Sequence, residues 1–450
     1  MTACAVETAT ENGAVATKKR TQGAGDPEAP GGADGAEVPE AGEAAGLAGS
    51  AADTATGLAS TGADTATGLA GAATDAGFTI TADGTYGARL AGTGDAVYPE
   101  RWTLDGPEPY AVTLPLHQPE EREAEVLPLS DGRVLIRRRV AERHTFSLLY
   151  PTGPATGELP LGAVTAEELW LLPPSPDGVR AYALAPGERS TGIWLVAGGA
   201  FGPEHLADVP GRCSGGAWLD RTGRLLALDR RQPDGGPVKT VAVDLARGGE
   251  VTPLLQITED SDDRLLLADA DSGLLMIRSN APGPGDERLG WGVLGSLRPV
   301  RFPESLRLPD ALVTPFAVQP AQVLMPESCA VALRIDGAAG SWVGVWRPSG
   351  RRLHQLAVPE GWLAGAGMWS REGVLQLPYV TQSMPCGVAR AAASEVFAAE
   401  SAETSPHATA TEPAQPEAAG GEPCEGSRSP LVRRPVPLQQ APLSGRSTRG

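Results

Sequence analysis

Ser130-Asp131-Gly132-Arg133-Val134-Leu135-Ile136 is a polar turn ending in glycine that leads straight into β-forming residues. The unit recurs as Ser175-Pro176-Asp177-Gly178-Val179-Arg180-Ala181-Tyr182, as Asp220-Arg221-Thr222-Gly223-Arg224-Leu225-Leu226, and as Asp271-Ser272-Gly273-Leu274-Leu275-Met276. Ala82-Asp83-Gly84 and Trp369-Ser370-Arg371-Glu372-Gly373-Val374-Leu375 are further copies. Glycine supplies the positive φ that closes such hairpins, and Asp or Ser hydrogen-bonds back onto the turn backbone. The turn glycines stand at 84, 132, 178, 223, 273 and 373, at intervals of 48, 46, 45, 50 and 100 residues. The doubled last interval predicts a degenerate unit midway, at Pro326-Glu327-Ser328 ahead of Cys329-Ala330-Val331-Ala332-Leu333.

About 20 residues after each turn comes a second β run with an aromatic or branched residue, then another polar turn. Examples are Arg101-Trp102-Thr103-Leu104, Gly192-Ile193-Trp194-Leu195-Val196 and Trp342-Val343-Gly344-Val345-Trp346. Two hairpins per 45–50 residues make a four-stranded antiparallel sheet. Each such sheet has two apolar faces that it cannot bury alone, so neighbours stacked around an axis must cover both. The expected fold is all-β, a β-propeller of about seven four-stranded blades over residues 78–397. Phe78-Thr79-Ile80-Thr81 begins the first sheet, and Glu395-Val396-Phe397 is expected as a poor fourth strand of the last. Six or eight blades, or another all-β arrangement, are the alternatives.

Ser175-Pro176-Asp177-Gly178, and Trp369-Ser370-Arg371-Glu372-Gly373 with its leading tryptophan, resemble the W-S-P-D-G signature of TolB-like (WD40-like) propellers. The similarity spans residues 78–397 by period and is sharp at two or three blades. It implies a protein-interaction hub, or a gating domain of the kind that stands beside a serine-peptidase domain. The chain departs from both patterns. Met1 to Arg20 has no apolar run resembling an export signal, and no G-x-S-x-G nucleophile elbow accompanies the repeats.

Composition separates the propeller from its flanks. Residues 1–77 contain no aromatic residue and carry 11 acids against 3 bases, too little apolar surface to offset backbone entropy. They hold a true repeat, Ala52-Asp53-Thr54-Ala55-Thr56-Gly57-Leu58-Ala59, again at 63–70. Its period of 11 matches three helical turns, which leaves a weakly amphipathic, lipid-touching helix as the alternative to disorder. Residues 398–450, rich in Pro, Glu and Arg, are likewise expected to be disordered. The net charge of −18 and the lack of a basic stretch argue against nucleic acid as a partner. Five scattered cysteines, odd in number and with no CxxC spacing, argue against a disulfide framework or a zinc site. No run approaches 18 apolar residues, so no transmembrane helix is expected. The expectation is a cytoplasmic monomer.

No catalytic, cofactor or metal residues emerge. His117, His144, His205 and His354 occupy different places in their blades and are not expected to converge on one metal. Asp260-Ser261-Asp262-Asp263 and Asp269-Ala270-Asp271-Ser272-Gly273 resemble fragments of calcium loops without the full ligand spacing. Arg137-Arg138-Arg139 sets charges on both faces of one strand, either as an anion contact at the channel or as an edge-strand solubility device. Arg137, Arg139, His144, Asp220 and Asp271 are therefore the candidate interaction surface. The leading expectation is a non-catalytic scaffold or ligand-binding platform for a protein or small ligand. A propeller lyase or hydrolase with a channel site, and a peripheral membrane protein using the N-terminal repeat, are the alternatives.

Overall fold

The computed structural model describes residues 77–93, 96–283, 285–320 and 325–403. The eleven-residue repeat and most of both expected tails lie outside the described residues. Within them stand seven antiparallel sheets, each a meander in chain order. Blade 1 is β1 (Thr79–Ile80), β2 (Tyr86–Thr93), β3 (Ala96–Thr103) and β4 (Tyr110–Thr113). Blade 2 is β5 (Glu125–Pro128), β6 (Val134–Val140), β7 (Arg143–Pro151) and β8 (Thr156–Thr165). Blade 3 is β9 (Trp170–Leu171), β10 (Ala181–Pro186), β11 (Ser190–Ala197) and β12 (Glu204–Pro210). Blade 4 is β13 (Arg212–Trp218), β14 (Leu225–Gln232), β15 (Gly235–Asp244) and β16 (Glu250–Leu255). Blade 5 has three strands, β17 (Asp263–Ala268), β18 (Leu274–Ser279) and β19 (Arg288–Val293). Blade 6 is β20 (Ala311–Val318), β21 (Val331–Gly337), β22 (Gly340–Trp346) and β23 (His354–Leu356). Blade 7 is β24 (Met368–Trp369), β25 (Val374–Tyr379) and β26 (Gly387–Ala392), followed by α1 (Ala393–Glu403).

The core is divided into seven apolar clusters, one between each pair of neighbouring blades. Alternation along the second strand of a blade explains why. In β18, Leu274 and Met276 pack against blade 6, whereas Leu275 and Ile277 pack against blade 4. In β21, Val331, Leu333 and Ile335 face blade 5 while Ala332 faces blade 7. A strand buried on both sides reads as continuously apolar, as these do. First strands touch first strands, β1 to β5, β5 to β9, β13 to β17, β17 to β20 and β20 to β24, which places them innermost.

Among the described residues the ring closes by packing, with no strand exchanged between the first and last blades. Phe78, Trp102 and Leu104 of blade 1 bury against Ala366 and Cys386 of blade 7, with Leu363, Val380 and Val388 beside them. Phe78 meets Trp102 edge-on at 4.9 Å. Glu395-Val396-Phe397, expected as a strand, belongs instead to α1. Alanine-rich sequence favours helix there, and the outer edge of β26 stays without a fourth strand among the described residues. Val396 and Phe397 of the helix lie on the blade 6–7 cluster, where Arg347 stacks on the Phe397 ring at 4.2 Å. Blade 5 lacks its fourth strand because Pro299, Pro303 and Pro309 interrupt the connection. A single bridge, Trp291 to Arg301, is what remains of the pairing.

The turns between first and second strands touch across blades. Ser130 N donates to Gly178 O at 2.8 Å. Gly178 has φ +71°, and a Cβ there would lie 2.2 Å from Ser130 Oγ. Gly235, at φ +91°, shares the left-handed conformation but has nothing within 4 Å of such a Cβ. Gly178→Ala is expected to lose about 2 kcal/mol or more and Gly235→Ala about 1 kcal/mol in urea denaturation. Equal losses would show that the blade 2–3 turn contact contributes nothing.

Candidate functional site

In an antiparallel meander the turn between strands 1 and 2 and the turn between strands 2 and 3 lie at opposite ends of the sheet. The ring therefore has a 1–2 face and a 2–3 face. Asp220 and Asp271 sit in 1–2 turns of blades 4 and 5, whereas Arg137, Arg139 and His144 lie at the 2–3 end of blade 2. The five sequence candidates thus divide between the two faces.

On the 1–2 face both aspartates are engaged internally. Asp220 accepts from Thr222 N and Oγ1 at 2.7 Å and from Leu225 N at 2.7 Å. Burial would raise its pKa, but these hydrogen bonds outweigh burial and hold the carboxyl below its usual range. Asp271 pairs with Arg221 of the preceding blade. These are turn closures and blade links. The two calcium-loop fragments occupy opposite ends of β17, so they do not form one cation site. Among the described residues no group of three or more His, Cys, Asp or Glu is placed to hold a metal ion.

On the 2–3 face, Arg137 is buried and donates to Glu125 Oε2 at 3.0 Å and to Glu123 O at 2.8 Å. Its Nη1 lies 3.1 Å from His144 Nδ1. A guanidinium only donates, so that imidazole nitrogen is the acceptor and the His144 proton sits on Nε2. Burial first, then the Arg137 charge, lower the His144 pKa, and the ring is neutral at physiological pH. Glu125 also accepts from Leu171 N at 2.9 Å, tying blade 2 to the inner strand of blade 3. Arg138 points the other way and grips Glu120 through two nitrogens at 2.7 and 2.8 Å. Arg139 alone of the three is exposed, beside Ala141, whose φ of 54° is the one positive value at a non-glycine among the described residues.

A second buried polar cluster joins blades 4 and 5. Lys239, the only lysine between residues 78 and 397, donates to Asp263 Oδ2 at 2.8 Å and to Ser261 O at 2.5 Å. Asp263 is fully buried and also accepts from Ser279 Oγ at 2.6 Å and Ile257 N at 2.9 Å. Thr240 Oγ1 stands 2.8 Å from Asp229 Oδ1 and 2.9 Å from Asp263 O, one proton between two acceptors. Burial raises the Asp229 pKa to about 6, against the opposing hydrogen bonds from Leu265 N and Thr240 Oγ1. No histidine joins these carboxylates among the described residues. Cys213, Cys329 and Cys386 are buried free thiols whose pKa burial lifts to about 11, which makes them poor nucleophiles.

Sequence reasoning missed a cleft with room for a ligand. A cleft of about 580 Å³ opens on the 2–3 side between blade 5 and the proline-broken connection to blade 6. Leu289, Leu306 and Val313 form its buried apolar floor, and Arg278 lies among them at 8% exposure. Arg288 pairs with Glu304 at 2.5 Å and Arg307 with Asp286 at 3.0 Å at the rim. The available signal was positional: Arg278 stands five residues after Gly273, as Arg137 does after Gly132.

Lys239→Ala leaves the Asp263 carboxylate buried without its countercharge. The expected loss is about 3–5 kcal/mol in urea denaturation, partly restored in the Lys239→Met/Asp263→Leu double variant. A loss below about 1 kcal/mol would show Asp263 to be solvated. For Asp229 the folded pKa lies above the unfolded one, so its stabilising contribution is complete below pH 4 and is lost as pH rises through about 6. Asp229→Asn is thus expected to gain on the wild type between pH 4.5 and 7.5, by about 2–3 kcal/mol at most. A stability difference independent of pH would refute the raised pKa.

No family model matches the sequence, and no curated protein matches it either. Solved structures resemble its fold. The β-propeller domain of the Trilobed protease from Pyrococcus furiosus, described as having an open velcro topology, aligns with TM-score 0.45 at 10% identity over 70% of this chain and 91% of its own. TolB from Acinetobacter baumannii aligns with TM-score 0.37 at 11% identity over 68% of this chain and 76% of its own. Prolyl oligopeptidase B from Galerina marginata aligns with TM-score 0.44 at 12% identity over 70% of this chain, which spans about half (48%) of that enzyme. The chain is a seven-bladed β-propeller, as its seven meander sheets show.

Proposed function

We infer that this chain is a non-catalytic binding platform, a cytoplasmic monomer that recognises a protein or small ligand on the 2–3 face of its ring. The observation that carries this reading is the difference between the two faces. On the 1–2 face, Asp220 and Asp271 close turns and link blades, so their polar groups are occupied. The 2–3 face presents the exposed Arg139 and opens into the cleft beside Arg278. The buried titratable groups support a structural role rather than a chemical one. His144 is tied to Arg137, and Asp229 to Thr240 and Leu265 N, each between neighbouring strands or blades. A general base needs access to a substrate proton, which these positions do not offer.

The test compares the two faces in the full chain. Chemical crosslinking in its native lysate is expected to recover a defined partner with the wild type and with Val179→Glu, on the 1–2 face. Arg139→Glu is expected to lose that partner at least fivefold. Loss with Val179→Glu and retention with Arg139→Glu would place recognition on the other face. Partner recovery indifferent to both, with no ligand retained in native mass spectrometry, would sink the reading.

A further inference from the structure

Blades 2 and 5 place an arginine at the same point of the second strand and give it opposite surroundings. In blade 2, Arg137 is paired across the sheet with Glu125, and the two side chains form an ion pair at 3.0 Å. In blade 5, Arg278 is paired across the sheet with Arg264. Like charges directly opposite one another in a sheet are destabilising. Arg278 is nevertheless nine-tenths buried, makes one hydrogen bond, from Nη2 to Val313 O at 2.9 Å, and forms no ion pair among the described residues. Arg264 Nε is also buried without a hydrogen-bond partner. An unpaired guanidinium in an apolar setting costs several kcal/mol unless an anion meets it. The fold offers that anion a place, because Arg278 lines the 580 Å³ cleft.

The rest of the lining says which anion. Leu289, Leu306 and Val313 surround Arg278, and Leu312, more than half exposed, stands where the cleft meets solvent. A ligand must therefore carry an apolar body behind or beside its charged group. Three arginines (278, 288 and 307) and two acids (286 and 287) line the cleft, and Glu304, the rim partner of Arg288, brings the charges to balance. Two of those arginines are already satisfied at the rim by Glu304 and Asp286. Arg278, bonded to Val313 O and near the charge of Glu287 but in no ion pair among the described residues, is the guanidinium left to meet a monoanion, and its planar donors suit the two oxygens of a carboxylate. The volume lies in the range of small-molecule sites.

We propose that the cleft between blades 5 and 6 is a binding site for an organic carboxylate with an apolar chain, its carboxylate seated on Arg278 and its chain on Leu289, Leu306 and Val313. The proposal deepens the binding-platform reading and rests on it for the choice of face. Octanoate is a suitable probe, with octan-1-ol and octyl phosphate as comparators, titrated calorimetrically into the full-length protein. One octanoate per chain is expected, at a Kd of about 10–100 μM, with octan-1-ol at least tenfold weaker. Arg278→Met is expected to weaken octanoate at least tenfold while keeping the thermal transition, since it removes an uncompensated buried charge. Leu312→Glu, an exposed change at the mouth, is expected to weaken octanoate about fivefold by repulsion and to leave octan-1-ol unaffected. Arg139→Gln should change nothing in these titrations.

Absence of octanoate binding, or equal affinity for octan-1-ol and octanoate, would overturn the proposal. So would retention of octanoate affinity in both Arg278→Met and Leu312→Glu. Octyl phosphate binding tenfold more tightly than octanoate would overturn the assignment to a monoanion. If the titrations fail while Arg139→Glu still abolishes partner recovery, the cleft assignment alone falls and the platform reading stands.

Discussion

Burial of both faces of every sheet is the constraint from which the rest of this structure follows. A blade of three or four short strands exposes two apolar surfaces, and each buried Leu, Val or Ile contributes about 1.5–3 kcal/mol only when a neighbour covers it. Seven inter-blade clusters satisfy the requirement all the way round, including the contact of blade 1 with blade 7. That last contact works without strand exchange because Phe78 and Trp102 are large enough to fill it. α1 is where the strand economy at the end of the chain becomes visible: with no fourth strand in blade 7, a short alanine-rich helix lays Val396 and Phe397 over the exposed cluster.

The same constraint governs the charges. Second strands are apolar near the 1–2 turn and become charged toward the 2–3 end, as in Val134-Leu135-Ile136-Arg137 and Leu274-Leu275-Met276-Ile277-Arg278. A charge placed there sits at the margin of the packed zone, where solvent no longer screens it fully, so its partner decides its effect. Arg137 has Glu125, Lys239 has Asp263, and Asp229, whose pKa burial raises to about 6, accepts from Thr240 and Leu265 N. Each solution also ties one blade to the next, so the polar groups reinforce the register set by the apolar clusters. Arg278 departs from the pattern because its cross-strand neighbour is another arginine.

The cleft owes its existence to a missing strand. Where blades 1 to 4 and blade 6 complete their sheets, the connection after β19 is interrupted by prolines that cannot donate to a ladder. It leaves the sheet after one bridge to Trp291, passes through a short 3-10 turn at Glu304–Leu306, and returns to start β20. Leu306 is buried by this detour, and space remains between it and the end of β18. An irregularity in one blade thus leaves a part of the ring with room for a guest.

Much of the architecture was legible in the residues alone. The spacing of turn glycines and the two-hairpin unit determined an all-β ring of about seven blades, because such periodic half-buried sheets have few other ways to cover their faces. Even the degenerate unit at Pro326-Glu327-Ser328 occupies the expected turn between β20 and β21. Local sequence misled at Glu395-Val396-Phe397, where β-favouring residues stand in an alanine-rich segment that folds as helix and lays Val396 and Phe397 on the blade 6–7 cluster. The partnering of charges was beyond it. Arg137 and Arg278 hold equivalent positions in their repeats, and only the register of β5 on β6 and of β17 on β18 sets glutamate against one and arginine against the other. Electrostatic energy depends on distances between residues 12 or 14 positions apart and on how deeply they are buried. Those are properties of the folded ring, so the tertiary structure alone decided which arginine is satisfied and which one faces a cleft.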